Sequence, residues 1–101
     1  MYRGTTPTIT FNLDLDVSNI VKLIVTFAQN GKIVFERNEN QCAINTEENS
    51  ISLTLTEEET LSLKPNSDLS VQIRFALNNG VKGVSRIAST YVENILHDGV
   101  L

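Results

Sequence analysis

The chain has 101 residues, 41% of them hydrophobic, with five Gly and two Pro, enough for one domain and a sizeable core. Eight scattered Lys and Arg against twelve Asp and Glu give a net charge of −4, which excludes phosphate recognition as the main task. One cysteine excludes an internal disulfide, and no apolar run approaches the roughly 18 residues of a membrane span.

Residues 1–7 read as an arm in which Pro7 biases Thr6 toward extended backbone. The opening Met1-Tyr2-Arg3-Gly4-Thr5-Thr6 lacks the apolar stretch of a signal peptide, so synthesis and folding in a reducing cytoplasm are expected. Thr8 to Leu13 alternates as a strand, with Ile9, Phe11 and Leu13 on one face. Asp14, Asp16, Ser18 and Asn19 then form turns before a second strand, Ile20 to Gln29.

Asn30-Gly31 between alternating apolar residues is a strong hairpin signal, because both residues tolerate positive φ. A two-residue loop would pair Phe27 with Val34 and Val25 with Glu36, setting a carboxylate opposite a core position. A three-residue loop, Gln29 to Gly31 with Gly31 left-handed in a bulge, pairs Phe27 with Ile33 and Val25 with Phe35. Burial sets register wherever one face is dry, so the bulged loop is the expectation.

Arg37 to Gln41 reads as loop, Cys42-Ala43-Ile44 as a short strand, and Thr46 to Asn49 as a turn. Ile51, Leu53 and Leu55 alternate as the next strand. Thr56-Glu57-Glu58-Glu59 is a capping box, with Thr56 over the helix start and Glu59 reaching back. It predicts one helical turn over Glu57 to Leu61, closed off by Pro65. Leu69, Val71, Ile73, Phe75 and Leu77 lead into a second hairpin at Asn79-Gly80 and return through Val84 and Ile87. Gly83 interrupts the return strand and suggests a bulge or bend. These signals specify an all-β fold, an antiparallel β-sandwich of immunoglobulin-like kind. It has six or seven strands and one short helical turn; a partly open barrel is the alternative. The whole of 1–101 forms one domain with an N-terminal arm, 1–7, and a tail, 94–101.

Residues that could carry chemistry are few. Cys42 and His97 are the only thiol and imidazole, and they lie in unrelated segments with no third residue to orient them. Asp14 and Asp16, with Asp68, could be imagined on calcium, but the stretch lacks the glycine and terminal glutamate of an EF-hand loop. Glu57, Glu58 and Glu59 sit where capping and the helix dipole place carboxylates. No catalytic residue, metal or cofactor is expected, and an enzyme is not. Arg74 and Arg86 fall on the expected outer faces of neighbouring strands, where they would grip a partner's carboxylate or simply keep the sheet wet. The ends of the sequence are the better lead. Tyr2 and Arg3 in the arm, and Ile95, Leu96, Val100 and Leu101 in the tail, either fold back onto the sandwich or dock on another chain.

Three stretches carry a resemblance: Tyr2-Arg3-Gly4-Thr5-Thr6-Pro7-Thr8, Leu55-Thr56-Glu57-Glu58-Glu59-Thr60-Leu61, and Val71-Gln72-Ile73-Arg74 before its Gly-centred turn. They are similar to short proteins encoded in prophages of Gram-positive bacteria. The layout more distantly resembles the N-terminal β-sandwich of phage baseplate upper proteins. The likeness extends to the ending Ile95-Leu96-His97-Asp98-Gly99-Val100-Leu101, but the chain lacks the long fibre or receptor-binding region that follows the baseplate domain. It implies a non-enzymatic structural or accessory protein, associated with a tail or baseplate and incorporated into the particle. The implied partner is a tail or baseplate component or a further copy of the chain, with no nucleic acid and no membrane. A cytoplasmic module that regulates a host protein is the alternative, its acidic surface suiting a basic partner.

Overall fold

The alternating apolar residues fold into two antiparallel sheets in the computed structural model, which describes residues 1–101. The smaller sheet holds β1 (Thr8–Asn12), β4 (Ala43–Asn45) and β5 (Ser50–Thr54) in the order β1-β5-β4. The larger runs β3 (Lys32–Asn38), β2 (Ile20–Gln29), β6 (Ser67–Leu77), then β7 (Lys82–Val84) and β8 (Ala88–Val92) end to end along β6. Eight strands form rather than six or seven, because the return strand of the second hairpin breaks in two.

The strand order is that of an immunoglobulin sandwich. β1, β5 and β4 hold the places of strands B, E and D, and β3, β2, β6 and the β7–β8 line those of C′, C, F and G. Antibody domains join B to F by a disulfide packed on a tryptophan. With one Cys and no Trp, this chain fills the same space with Leu23, Val25 and Phe27 of β2, Ile51 and Leu53 of β5, and Leu69, Val71 and Ile73 of β6, all buried. No helix is long and apolar enough to cross a membrane.

The first hairpin corrects the expected register. Asn30 and Gly31 both have positive φ, 52° and 77°, and close a two-residue loop between Gln29 and Lys32. Ala28 then pairs with Ile33, the register shifts by one residue, and Phe27 pairs with Phe35. The bulge therefore sits inside β3, at Ile33-Val34, and not at the turn. It spends the extra residue where both side chains can face water. It brings Phe35 back over Phe27, the rings stacked with centroids 4.6 Å apart. Ile33, expected opposite Phe27 in the core, is 63% exposed. The same shift turns Arg37 inward opposite Val25 and sends Glu36 outward beside Thr26.

The second hairpin has the three-residue loop expected of the first. Gly80, at φ 88°, donates its N–H to the Leu77 carbonyl (3.0 Å), and Leu77 in turn donates to the Val81 carbonyl (2.8 Å). Gly83 is no bulge. It pairs with Phe75, whose ring lies across it so closely that a Cβ there would sit 2.4 Å from the ring edge. The irregularity comes two residues later, where Ser85, Arg86 and Ile87 span the gap between Val84, opposite Arg74, and Ala88, opposite Val71. Ser85 mends the ladder: its N–H donates to the Ile73 carbonyl (2.8 Å) and its hydroxyl oxygen accepts from the Ile73 N–H (2.9 Å).

Between β5 and β6 lies the expected helical turn, α1 (Glu57–Leu61), with its full capping box. Glu59 N–H donates to Thr56 Oγ1 (3.1 Å) and Thr56 N–H to Glu59 Oε1 (2.8 Å). A second capping box, Asn38 with Gln41, starts a 3-10 turn over Glu39–Gln41, where the sequence reads as plain loop. The buried amide of Gln29 then ties β2 to the segment after α1, donating to the Lys64 carbonyl (3.0 Å) and accepting from the Lys64 N–H (2.8 Å).

Candidate functional site

Two segments far apart in sequence meet at α1. The first is the N-terminal arm, which is not a free arm: Tyr2 bridges to Glu93 in parallel, extending the β8 side of the larger sheet, with Arg3 N–H donating to the Glu93 carbonyl (3.1 Å). Gly4, at φ 71°, lets the chain turn away. A Cβ there would press on Ile95 at 2.8 Å, so the position admits no larger side chain without movement. Thr60, fully buried on α1, holds the arm by donating its hydroxyl to the Thr5 carbonyl (2.8 Å).

Arg3 is the centre of this junction, with only 8% of its surface exposed. Its guanidinium donates to the Leu61 carbonyl (2.6 Å), the Leu63 carbonyl (2.9 Å) and Asn94 Oδ1 (3.0 Å), and pairs with Asp98 at 3.0 Å. The last carbonyls of a helix have no partner within it and carry its negative end, so a forked cation fits there.

The second segment is residues 94–101. Asn94 and Asp98 are held by Arg3, Ile95 rests on Gly4, and the Leu101 N–H donates to Glu57 Oε2 (3.1 Å). The backbone is thus fastened to the sandwich, yet the side chains of Leu96, Val100 and Leu101 face out. Leu96 and Leu101 are as exposed as in an open chain, at 107% and 99%. Tyr2 is also exposed, at the rim of the same junction. Of the residues singled out from sequence, the fold gathers Tyr2, Arg3, Ile95, Leu96, Val100 and Leu101 at one end. Arg3 and Ile95 are occupied inside the chain.

Arg74 and Arg86 are not brought together. Arg74 is on the outer face of the larger sheet, whereas Arg86 lies in the break between β7 and β8, beside the groove lined by Phe11, Leu13 and Phe75. Cys42 is half-buried against the core, and burial pushes its thiol up despite the pull of Arg37, Glu39 adding to the rise. It shares no hydrogen bond with His97, which sits on the exposed C-terminal segment. Asp16 accepts from the Ser18 hydroxyl (2.6 Å) and N–H (3.0 Å), which hold its carboxyl below the usual range and explain it as a turn residue. No three His, Cys, Asp or Glu side chains converge as metal ligands would.

The chain's surface has one group of residues that sequence reading passed over. Lys22, Ile24, Ala76 and Lys82 join Arg74 around a depression on the outer face of the larger sheet. Strand parity marks Lys22, Arg74 and Ala76 as outward, but Lys82 is placed only by the register across Gly83. No protein-family model and no curated protein matches the chain.

Proposed function

We infer that the chain is a non-enzymatic structural or accessory protein of a phage particle, a β-sandwich associated with a tail or baseplate that works through protein–protein contacts of its C-terminal segment. The observation that carries the reading is the contrast within residues 94–101. The backbone is anchored by Arg3 and Glu57, while Leu96 and Leu101 stay in water. Apolar side chains left uncovered on a tethered backbone mark an interface, and the tether means that less backbone order remains to be lost on docking. The resemblance of the chain to prophage-encoded proteins supplies the setting.

Removing residues 95–101 outright would also strip Asp98 from Arg3, so substitution is the cleaner test. Leu96→Ser with Leu101→Ser should leave unfolding in urea within about 0.5 kcal/mol of the parent, as exposed positions do. The substituted chain should be lost from purified particles when their proteins are identified by mass spectrometry. Recovery of the parent chain only from infected-cell lysate would support a regulator of a host protein instead.

A further inference from the structure

We propose that the outer face of the larger sheet around Ala76 binds a second copy of this chain through that copy's acidic loops. The proposal goes beyond the C-terminal segment and uses a different surface. The register sets Lys22, Ala76 and Lys82 in one row across β2, β6 and β7. Ile24, Arg74 and Val84 form the next row. With strands about 4.8 Å apart, Lys22 and Lys82 stand about 10 Å from each other, and Arg74 is about 7 Å along β6 from Ala76. The small Ala76 side chain leaves a shallow depression of about 530 Å³ walled by the three cations.

None of these cations is neutralised within the chain. Its two ion pairs use Arg3 and Arg37, and Lys82 Nζ reaches only the Gly80 carbonyl, at 3.4 Å. Glu36, the one carboxylate lining the depression, has Oε2 taken by the Thr26 hydroxyl at 2.7 Å. Apolar surface lies beside the charges, with Val84 57% exposed and Ile33 63%. A protein of net charge −4 thus presents a basic and apolar sheet face, while like charges gathered without partners repel one another.

The complementary surface is on the same chain. Asp14 and Asp16 follow β1, and Glu47 and Glu48 lie in the turn between β4 and β5; all four are exposed and outside the ion pairs. Hydrogen bonds hold these loops beside one another. Asn49 accepts the Leu13 N–H on its carbonyl (3.3 Å) and the Val17 N–H on Oδ1 (3.2 Å), and Asn45 Oδ1 accepts the N–H groups of both Glu47 and Glu48 (3.1 Å each). Four exposed carboxylates on one copy meet three unpaired cations on the next, a charge complementarity that favours association of the two surfaces.

Light scattering and sedimentation equilibrium on the full chain test this. The mass should rise above 11.2 kDa with concentration and fall back as salt goes from about 0.05 to 0.5 M. An exposed ion pair contributes about two- to five-fold in affinity, so Lys22→Glu, Arg74→Glu and Lys82→Glu together should weaken association by at least about 10-fold. The milder Arg74→Gln alone should weaken it about two- to five-fold. Glu47→Lys with Glu48→Lys should likewise give a monomer, and mixing it with the triple variant should restore the higher mass. Leu96→Ser with Leu101→Ser should associate as the parent does. A parent chain that stays monomeric at every concentration overturns the proposal. So does association that survives charge reversal, or association that is lost with the leucines. A mass increase that appears only on adding DNA would assign the cations to a polyanion and overturn it as well.

Discussion

Arg3 joins the end of α1, the segment after it and residues 94–98 through a single planar group. Four contacts fan out from one guanidinium, two of them to backbone carbonyls at and just after the end of α1. The fork matters more than the charge. Asp98 is largely in water, its side chain 64% exposed, so the ion pair itself contributes up to about 1 kcal/mol. The buried carbonyl of Leu63 and the part-buried one of Leu61 are the larger stake, because leaving a buried acceptor unpaired costs about 1–3 kcal/mol. Arg3→Lys keeps the charge but offers one ammonium for two carbonyls and an amide oxygen. It should lower the free energy of unfolding in urea by about 1–3 kcal/mol, while Asp98→Asn lowers it by less than about 1 kcal/mol. Equal stability of Arg3→Lys and the parent would show that the fork is not what holds the junction.

At the scale of elements, the β2–β3 hairpin separates what sequence can and cannot specify. Gln29 pairs with Lys32 and Ala28 with Ile33, as a regular two-residue hairpin requires; the extra residue enters only at Val34. Deleting Val34 would leave Phe27 opposite Phe35 and Val25 opposite Arg37 with no bulge at all. The deletion should therefore cost less than about 1 kcal/mol in thermal or urea unfolding, despite falling inside a strand. Deleting Glu36 instead would move Arg37 to the outer face and cost several times more, because a one-residue slip exchanges the faces. Equal losses from the two deletions would refute the register. Most strands and α1 were legible because their information is local: Leu23, Val25 and Phe27 alternate, and Thr56 and Glu59 cap within four residues. The register of β3 was not, since Ile33 and Phe35 share a parity that suggests a common face. The register that forms instead brings Arg37 to Glu59, 22 residues further along the chain. The junction at Arg3 was hidden for the same reason, its partners lying from 58 residues away, at Leu61, to 95, at Asp98.

Across the whole molecule, α1 is the point where both sheets and both terminal segments are tied, and the Arg37–Glu59 pair links it to the edge strand β3. The guanidinium reaches the carboxylate through two nitrogens, Nε donating to Oε2 at 3.0 Å and Nη2 to Oε1. Both side chains are mostly buried, at 13% and 21% exposed. Burial by itself would raise the Glu59 carboxyl. The hydrogen bonds from Arg37 and Thr56, with the charge of Arg37, outweigh it and hold the group below its ordinary value of 4.5. A carboxyl that is more acidic in the folded chain than in the unfolded one takes up its proton first in the unfolded state. Its stabilisation is therefore complete above the ordinary value and drains away as pH falls from there through the lower, folded value. Glu59→Gln keeps an acceptor for the Thr56 N–H but leaves Arg37 buried without a counter-charge. That should cost about 1–3 kcal/mol at pH 7. The difference between parent and variant, followed by urea unfolding from neutral pH downward, should be constant until just above 4.5 and then shrink as the parent loses what the variant never had. Other carboxylates, Asp16 among them, titrate in both proteins and cancel in that difference. If the two curves stay parallel through the acid range, Glu59 does not couple the edge of the larger sheet to α1.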